Sequence, residues 1–141
     1  MKRKKKSPLT LAKDKAWKAF SIYIRTKGSI GNLNTCITCR RMKPISAIGG
    51  LQAGHFVPGR TNATLFDERG VYPQCYGCNV GKKSNPIKFY KFMLKTHGQK
   101  VIDELDRLSG TTVKYTVQDY LKIEKKYKRK LVKLTLNQTL C

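Results

Sequence analysis

The sequence predicts an α+β domain stapled by a metal ion, and three observations lead there. Two short cysteine pairs, Cys36–Cys39 and Cys75–Cys78, frame a segment broken repeatedly by turn-forming residues. Stretches with helical spacing of apolar residues lie outside that frame, and only short β-like runs lie inside it. Lysine and arginine outnumber the acids 30 to 8, giving a formal charge of +22 on 141 residues.

The cysteines come first because they organise the rest. Two Cys-x-x-Cys pairs can place four thiolates around one tetrahedral ion, and an all-sulfur closed shell selects structural zinc. Two disulfides, or reduced core cysteines, are the alternatives. Disulfides need an oxidising compartment, and nothing in the sequence directs the chain to one. The pattern suits a reducing cytoplasm, which is the expected location. Cys141, the odd fifth cysteine, is given no role.

The length suits one domain, or one small domain with appendages. With 40% apolar residues the chain can bury a core of modest size, which a metal staple would supplement. A charge of +22 repels itself, and a polyanion relieves that repulsion while gaining counterion entropy. Nucleic acid is therefore the expected partner. No apolar span or lipidation signal points to a membrane. Residues 1–10 read as a basic arm along phosphates, 11–135 as a single domain and 136–141 as a tail. The Lys- and Arg-rich start is not a signal peptide, because Lys13 interrupts any apolar run.

Leu11 to Thr26 has apolar residues at helical spacing, with Thr10 as a candidate cap and Gly28 as a stop. Residues 29–34 and 44–50 read as loop and turn. Leu51 to Val57 is a short strand ending at Pro58-Gly59, and Val71 to Gln74 is a return strand into the second cysteine pair. Between them, residues 59–64 read as loop and Phe66 to Gly70 as a turn. Asn85-Pro86 opens a helix that Gly98 stops, with Asn85 as its cap. A less basic helix follows from Lys100 to Leu108. Thr116 and Asp119 resemble a capping box before a final helix to about Leu134.

Of two histidines, His97 precedes Gly98 at a helix end, where it would cap carbonyls or favour the dipole. His55 is the candidate for chemistry. It follows Gly54 on a short strand between the cysteine pairs, in a chain suited to meet phosphates. Phosphodiester hydrolysis needs an activated water and a cation on the phosphate, and an imidazole can supply the base. With four cysteines filling the shell, a zinc-ligand role for His55 weakens, though a core role stays open. Arg60, just beyond, could neutralise the transition state. Lys82 and Lys83 could bind flanking phosphates. Asp67 is a hard carboxylate suited to magnesium, or an ordinary turn residue.

Cys-x-x-Cys, Ala-Gly-His-Phe, Gln-Cys-x-x-Cys-Asn and Ser-Asn, in that order before paired helices, resemble the NinG (Rap) proteins of lambdoid phages. These are relatives of the HNH, or His-Me-finger, nucleases. The resemblance implies a ββα-metal core with a structural zinc on Cys36, Cys39, Cys75 and Cys78. It also implies a magnesium- or manganese-dependent DNA endonuclease acting on branched DNA such as Holliday junctions, in phage recombination. Its Gly-His tract falls on Gly54-His55 and its asparagines on Asn79 and Asn85. The expected catalytic set is His55, Arg60 and Asn79, with Asp67 and Asn85 as cation ligands. Many HNH enzymes carry His or Asp where this chain has Gly54, and a bracing Asn where it has Gly70. Symmetric cutting of a junction would suit a homodimer. The rival reading is a non-catalytic zinc-ribbon module that holds nucleic acid by charge, and a ribosome-associated protein is more distant.

Overall fold

A computed structural model describes residues 3–46 and 48–140. The chain divides into two compact units, Met1–Tyr23 with Lys114–Cys141, and Ile24–Val113. The start of the basic arm (residues 1 and 2) and Cys141 lie outside the described residues.

In the first unit, helix α1 (Pro8–Thr26) contributes its residues up to Tyr23. It begins before the expected Leu11 because Ser7, not Thr10, caps it. The Ser7 hydroxyl accepts from the Thr10 amide at 3.2 Å, with Pro8 at the first helical position. Helix α5 (Val117–Thr139) opens on the expected capping box. Thr116 accepts from the Asp119 amide at 3.2 Å, and the Asp119 carboxylate accepts from the Thr116 amide at 2.8 Å. It outruns Leu134 because no Gly or Pro follows to stop it. Ala12, Ala16 and Ala19 are buried on α1 beside Phe20 and Tyr23. Tyr127 of α5 meets Phe20 edge-on, centroids 4.8 Å apart, and Tyr23 at 5.4 Å. The Lys130 ammonium lies 4.9 Å from the Tyr23 ring centroid, a cation–π contact.

The second unit is mixed α and β. Strands β1 (Leu33–Thr35) and β2 (Met42–Pro44) form an antiparallel hairpin, Leu33 opposite Pro44. The expected loop and turn keep most of their length, giving up only residues 33–34 to β1 and residue 44 to β2. Strands of three residues show no alternation in sequence, and their register is set by the cysteine turn they enclose. Strands β3 (Leu51–His55) and β4 (Val71–Cys75) pair antiparallel, Leu51 opposite Cys75 and His55 opposite Val71. Their connection holds helix α2 (Asn62–Leu65), where a loop was expected, and a 3₁₀ turn at Glu68–Gly70. After a π-helical turn at Gly77–Gly81 come helices α3 (Pro86–His97) and α4 (Gln99–Ser109). Gly98 breaks them apart at a φ of 85°, a conformation that costs glycine little.

The core of this unit is Ile37, Phe89, Met93, Ile102 and Leu105. Phe56 and Tyr72 from the β3–β4 side pack on it, so α3 and α4 are fixed against the strand pair that carries His55. His97, expected to cap carbonyls, instead has its Nε2 in a hydrogen bond with the Tyr72 hydroxyl. Among the described residues, no helix is long and apolar enough to cross a membrane.

Candidate functional site

The four cysteines arrive from two sources. Cys36 and Cys39 sit in the turn between β1 and β2, where the Cys36 carbonyl accepts from the Arg40 amide at 2.9 Å. Cys75 ends β4, and Cys78 lies in the π-helical turn. Their ligand sulfurs all lie within 4.8 Å of one another, with Cys39 and Cys75 at 3.8 Å. Zinc–sulfur bonds of about 2.3 Å at tetrahedral angles put sulfurs about 3.8 Å apart. The donor set and its spacing therefore fit zinc, and the cluster can hold a structural metal of that kind.

The thiols themselves argue for a cation. Burial alone would push Cys36 up, but the Cys39, Cys75 and Thr38 amides and the Thr38 hydroxyl outweigh it and bring it down to about 6. Cys39, by burial and by its contacts with Cys36 and Cys75, is pushed up to about 11. One thiolate makes the next costly, and a divalent ion removes that conflict.

His55 ends β3 and is 8% exposed. Its Nε2 lies 3.1 Å from the Leu65 carbonyl at the end of α2. A carbonyl only accepts, so this bond places the ring proton on Nε2 and the lone pair on Nδ1. Burial, and the charge of Arg60, hold the imidazole below its ordinary pKa, against the opposing pull of the Leu65 carbonyl. The ring is thus the neutral, basic form at neutral pH. Arg60 itself stands at a left-handed φ of 48°.

The remaining expected site residues do not join His55 in one cation site. Both Asp67 oxygens are taken by Arg69, through its amide at 3.1 Å, Nε at 3.0 Å and Nη2 at 2.8 Å. Burial would raise this carboxyl, but the Arg69 hydrogen bonds and charge hold it below the usual range. Asn85 occupies the cap position without a side-chain cap bond, and its Nδ2 turns instead to the Cys78 sulfur at 3.7 Å. It supports the cysteine cluster. Asn79 donates to the Gln52 side chain at 2.8 Å.

Gln74 is a site residue that sequence reasoning passed over. It is wholly buried, and its Nε2 donates to the Thr38 hydroxyl at 3.2 Å and the Ser84 carbonyl at 2.9 Å. It thereby struts the first cysteine turn to the segment after the second. That segment is strained, with Lys83, Ser84 and Asn85 all at positive φ. Among the described residues the Gln74 Oε1 has no hydrogen-bond partner, and it lies 2.1 Å from where a side chain on residue 54 would begin. Asn79 Oδ1 is 3.1 Å from the same point. A side chain at position 54 would therefore have to displace the strut, which fills the space.

A second unforeseen feature is a groove of about 610 Å³ between the first cysteine turn and α3, lined in part by Arg40, Lys88, Lys91 and Lys95. The helical spacing of these lysines after Pro86 was the available signal. Together they make one basic face.

Two outcomes follow from this geometry. Purified chain should carry one zinc ion, and Cys36→Ser should lower metal content and collapse the unit's cooperative thermal transition, read by metal analysis and circular dichroism. Gly54→Asp should not create a cation ligand. It should destabilise the fold by about 1–3 kcal/mol or more, the cost of overpacking, measured by urea denaturation.

The chain matches the family described as Bacteriophage Lambda NinG protein over residues 1–137. It is 30% identical over 100 residues to Protein ninG of Escherichia phage 933W, covering 68% of this chain and 46% of that protein. It is 27% identical, again over 100 residues, to Protein ninG of Escherichia phage lambda and to that of Salmonella phage P22, covering 68% of this chain and 45% of each relative. The chain thus spans about half the length of these relatives. No solved structure matches it significantly. With the family match running through both units and all four clustered cysteines, the chain belongs to the NinG family.

Proposed function

We propose that this chain is a metal-dependent DNA endonuclease that cuts branched DNA, such as a four-way junction, in phage recombination. The observation that carries the reading is the pairing of His55 with Leu65 at the end of β3, under the charge of Arg60. A neutral imidazole whose tautomer is fixed by a carbonyl is an oriented general base. In this mechanism His55 takes a proton from water attacking phosphorus, and Arg60 offsets the charge that develops on the phosphate oxygens. Attack in line expels the 3′ oxygen and leaves 5′-phosphate and 3′-hydroxyl ends. Magnesium or manganese would supply further charge neutralisation at the phosphate. Asp67 is held by Arg69, and no step is assigned through that ion.

The basic faces support DNA as the partner. Arg40, Lys88, Lys91 and Lys95 make no ion pair with an acid among the described residues, so each is available to a phosphate. One observation favours the non-catalytic alternative: His55 is only 8% exposed, so a scissile phosphate must reach a mostly covered ring.

One assay separates the two. Four-way junction, flap and linear duplex DNA are incubated with magnesium, manganese or neither, using parent and His55→Ala. The nuclease reading expects junction cutting that needs the added metal and falls by about 10²–10⁴ in the variant, the usual worth of a general base. Equal cutting by a folded, zinc-loaded His55→Ala would remove His55 from the chemistry; no cutting by the parent would leave the binding module. The pH dependence has a definite sign. The base works deprotonated and its pKa in the free chain is lowered, so kcat/KM should rise with pH to a midpoint below 6.5 and stay flat through neutrality.

A further inference from the structure

We infer that the rim of the cysteine cluster carries a pocket for an unpaired nucleotide, built around Tyr76. A cavity of about 440 Å³ opens between β2, the start of β3 and the second cysteine turn. That volume lies in the range of small-ligand sites. Its lining brings together the Tyr76 ring, the Gln52 amide, and the cations Arg41 and Lys43, with no acidic residue. Each of these has the chemistry of one part of a nucleotide.

Tyr76 is 63% exposed, and no hydrogen bond or ring contact engages it among the described residues. An aromatic face left in water on a strongly basic surface is a stacking platform for a base. Gln52 has its carbonyl oxygen occupied by the Asn79 amide at 2.8 Å, which leaves its NH₂ to donate to a base carbonyl. Arg41 and Lys43 stand two residues apart on or beside β2 and make no ion pair with an acid among the described residues. They suit the phosphates on either side of a stacked base. Gly49 and Gly77 meet nothing within 4 Å where a side chain would begin, so neither crowds the opening.

The occupant is a nucleotide of single-stranded DNA. A duplex keeps its base faces stacked inside, so it cannot offer one to Tyr76. A second copy of the chain would bring another +22 charge against Arg41 and Lys43. Binding at this pocket does not depend on cleavage. The nuclease reading is needed only for the consequence, that branches with a single-stranded arm or unpaired bases at the crossing are preferred substrates.

The test uses the full zinc-loaded chain without magnesium, so that binding is read apart from cutting. Fluorescein-labelled oligodeoxythymidine, oligouridine and a hairpin duplex of equal length are titrated by anisotropy. A strand carrying 2-aminopurine reports stacking by quenching. Tyr76→Ala should weaken single-strand binding about tenfold and abolish the quenching, with duplex affinity changed by less than about twofold. Tyr76→Phe should bind like the parent, since the ring and not the hydroxyl is used. Arg41→Gln with Lys43→Gln should flatten the salt dependence on single strands by about 1.4 in log–log slope, two phosphates' worth. Should Tyr76→Ala shed its zinc, the charge variants and Gln52→Ala carry the same comparison.

Parental affinity in Tyr76→Ala, or an equal loss on duplex and single strand, would overturn the pocket. So would an unquenched 2-aminopurine strand bound to the parent, as expected if the surface serves a protein partner instead. Tighter binding of oligouridine than oligodeoxythymidine would move the occupant from DNA to RNA and overturn the DNA assignment. Intact stacking in a chain that cuts nothing would sink the nuclease reading alone.

Discussion

Four thiols brought within 4.8 Å of one another are the constraint on which the second unit depends. Without a cation the first thiolate opposes the second, and the turns that carry them are joined otherwise by the Gln74 strut and the Ile37 amide bond to the Pro73 carbonyl at 3.0 Å. The β1–β2 hairpin is three residues per strand, too short to persist by backbone pairing alone. Three tethers extend the sulfur cluster outward. Thr38 touches the Cys36 sulfur at 3.4 Å and also receives the Gln74 amide. Gln74 in turn holds the Ser84 carbonyl, and Asn85 reaches back to Cys78. The strained left-handed turn at residues 83–85 survives because it is held from both sides.

Charge sets the second constraint. Of the eight acids, seven have a hydrogen bond or ion pair to another residue: Asp14, Asp67, Glu68, Asp103, Glu104, Asp119 and Glu124. Those partners are lysines, the Gln99 amide, the α5 cap and the Arg69 clamp. Hard divalent ions prefer carboxylate oxygens. A chain whose carboxylates are engaged in its own structure has few left for a hard cation.

Much of this was legible in the sequence, for physical reasons. Cysteine spacing specifies a sulfur cluster whatever the fold around it. Helices α3 and α4 announced themselves through Asn85-Pro86 and Gly98, and α5 through its capping box. The family resemblance rested on motifs that the NinG match bears out. What stayed hidden was set by tertiary contact. Asn85 had the residue type of a cap and of a ligand, yet the sulfur of Cys78 claims its amide. Asp67 read as an available carboxylate because nothing in its neighbourhood announces that Arg69 folds back on it two residues later. Gly54 looked like a lost ligand until Gln74, far along the chain, was seen to occupy the space. The β1–β2 hairpin is too short for any periodicity to register.

The burial of His55, which counts against easy access, also bears on how a base could work in so positive a protein. Burial and Arg60 both disfavour the imidazolium, so the free ring is neutral but only weakly basic. On the nuclease reading, a phosphate arriving at Arg60 cancels much of that repulsion and adds its own negative charge. The imidazole then becomes a stronger base at the moment substrate is bound, and the imidazolium formed by proton abstraction gains a counterion. On that reading burial does most to keep His55 deprotonated before DNA arrives, Arg60 adds to it, and a phosphate paired with Arg60 removes that addition. A lysine at that position could carry the charge but not the planar two-point grip on phosphate that fixes the geometry. The same coupling requires Arg60 and His55 to act as a unit, because an imidazole without its neighbouring cation would lose the change in basicity on binding.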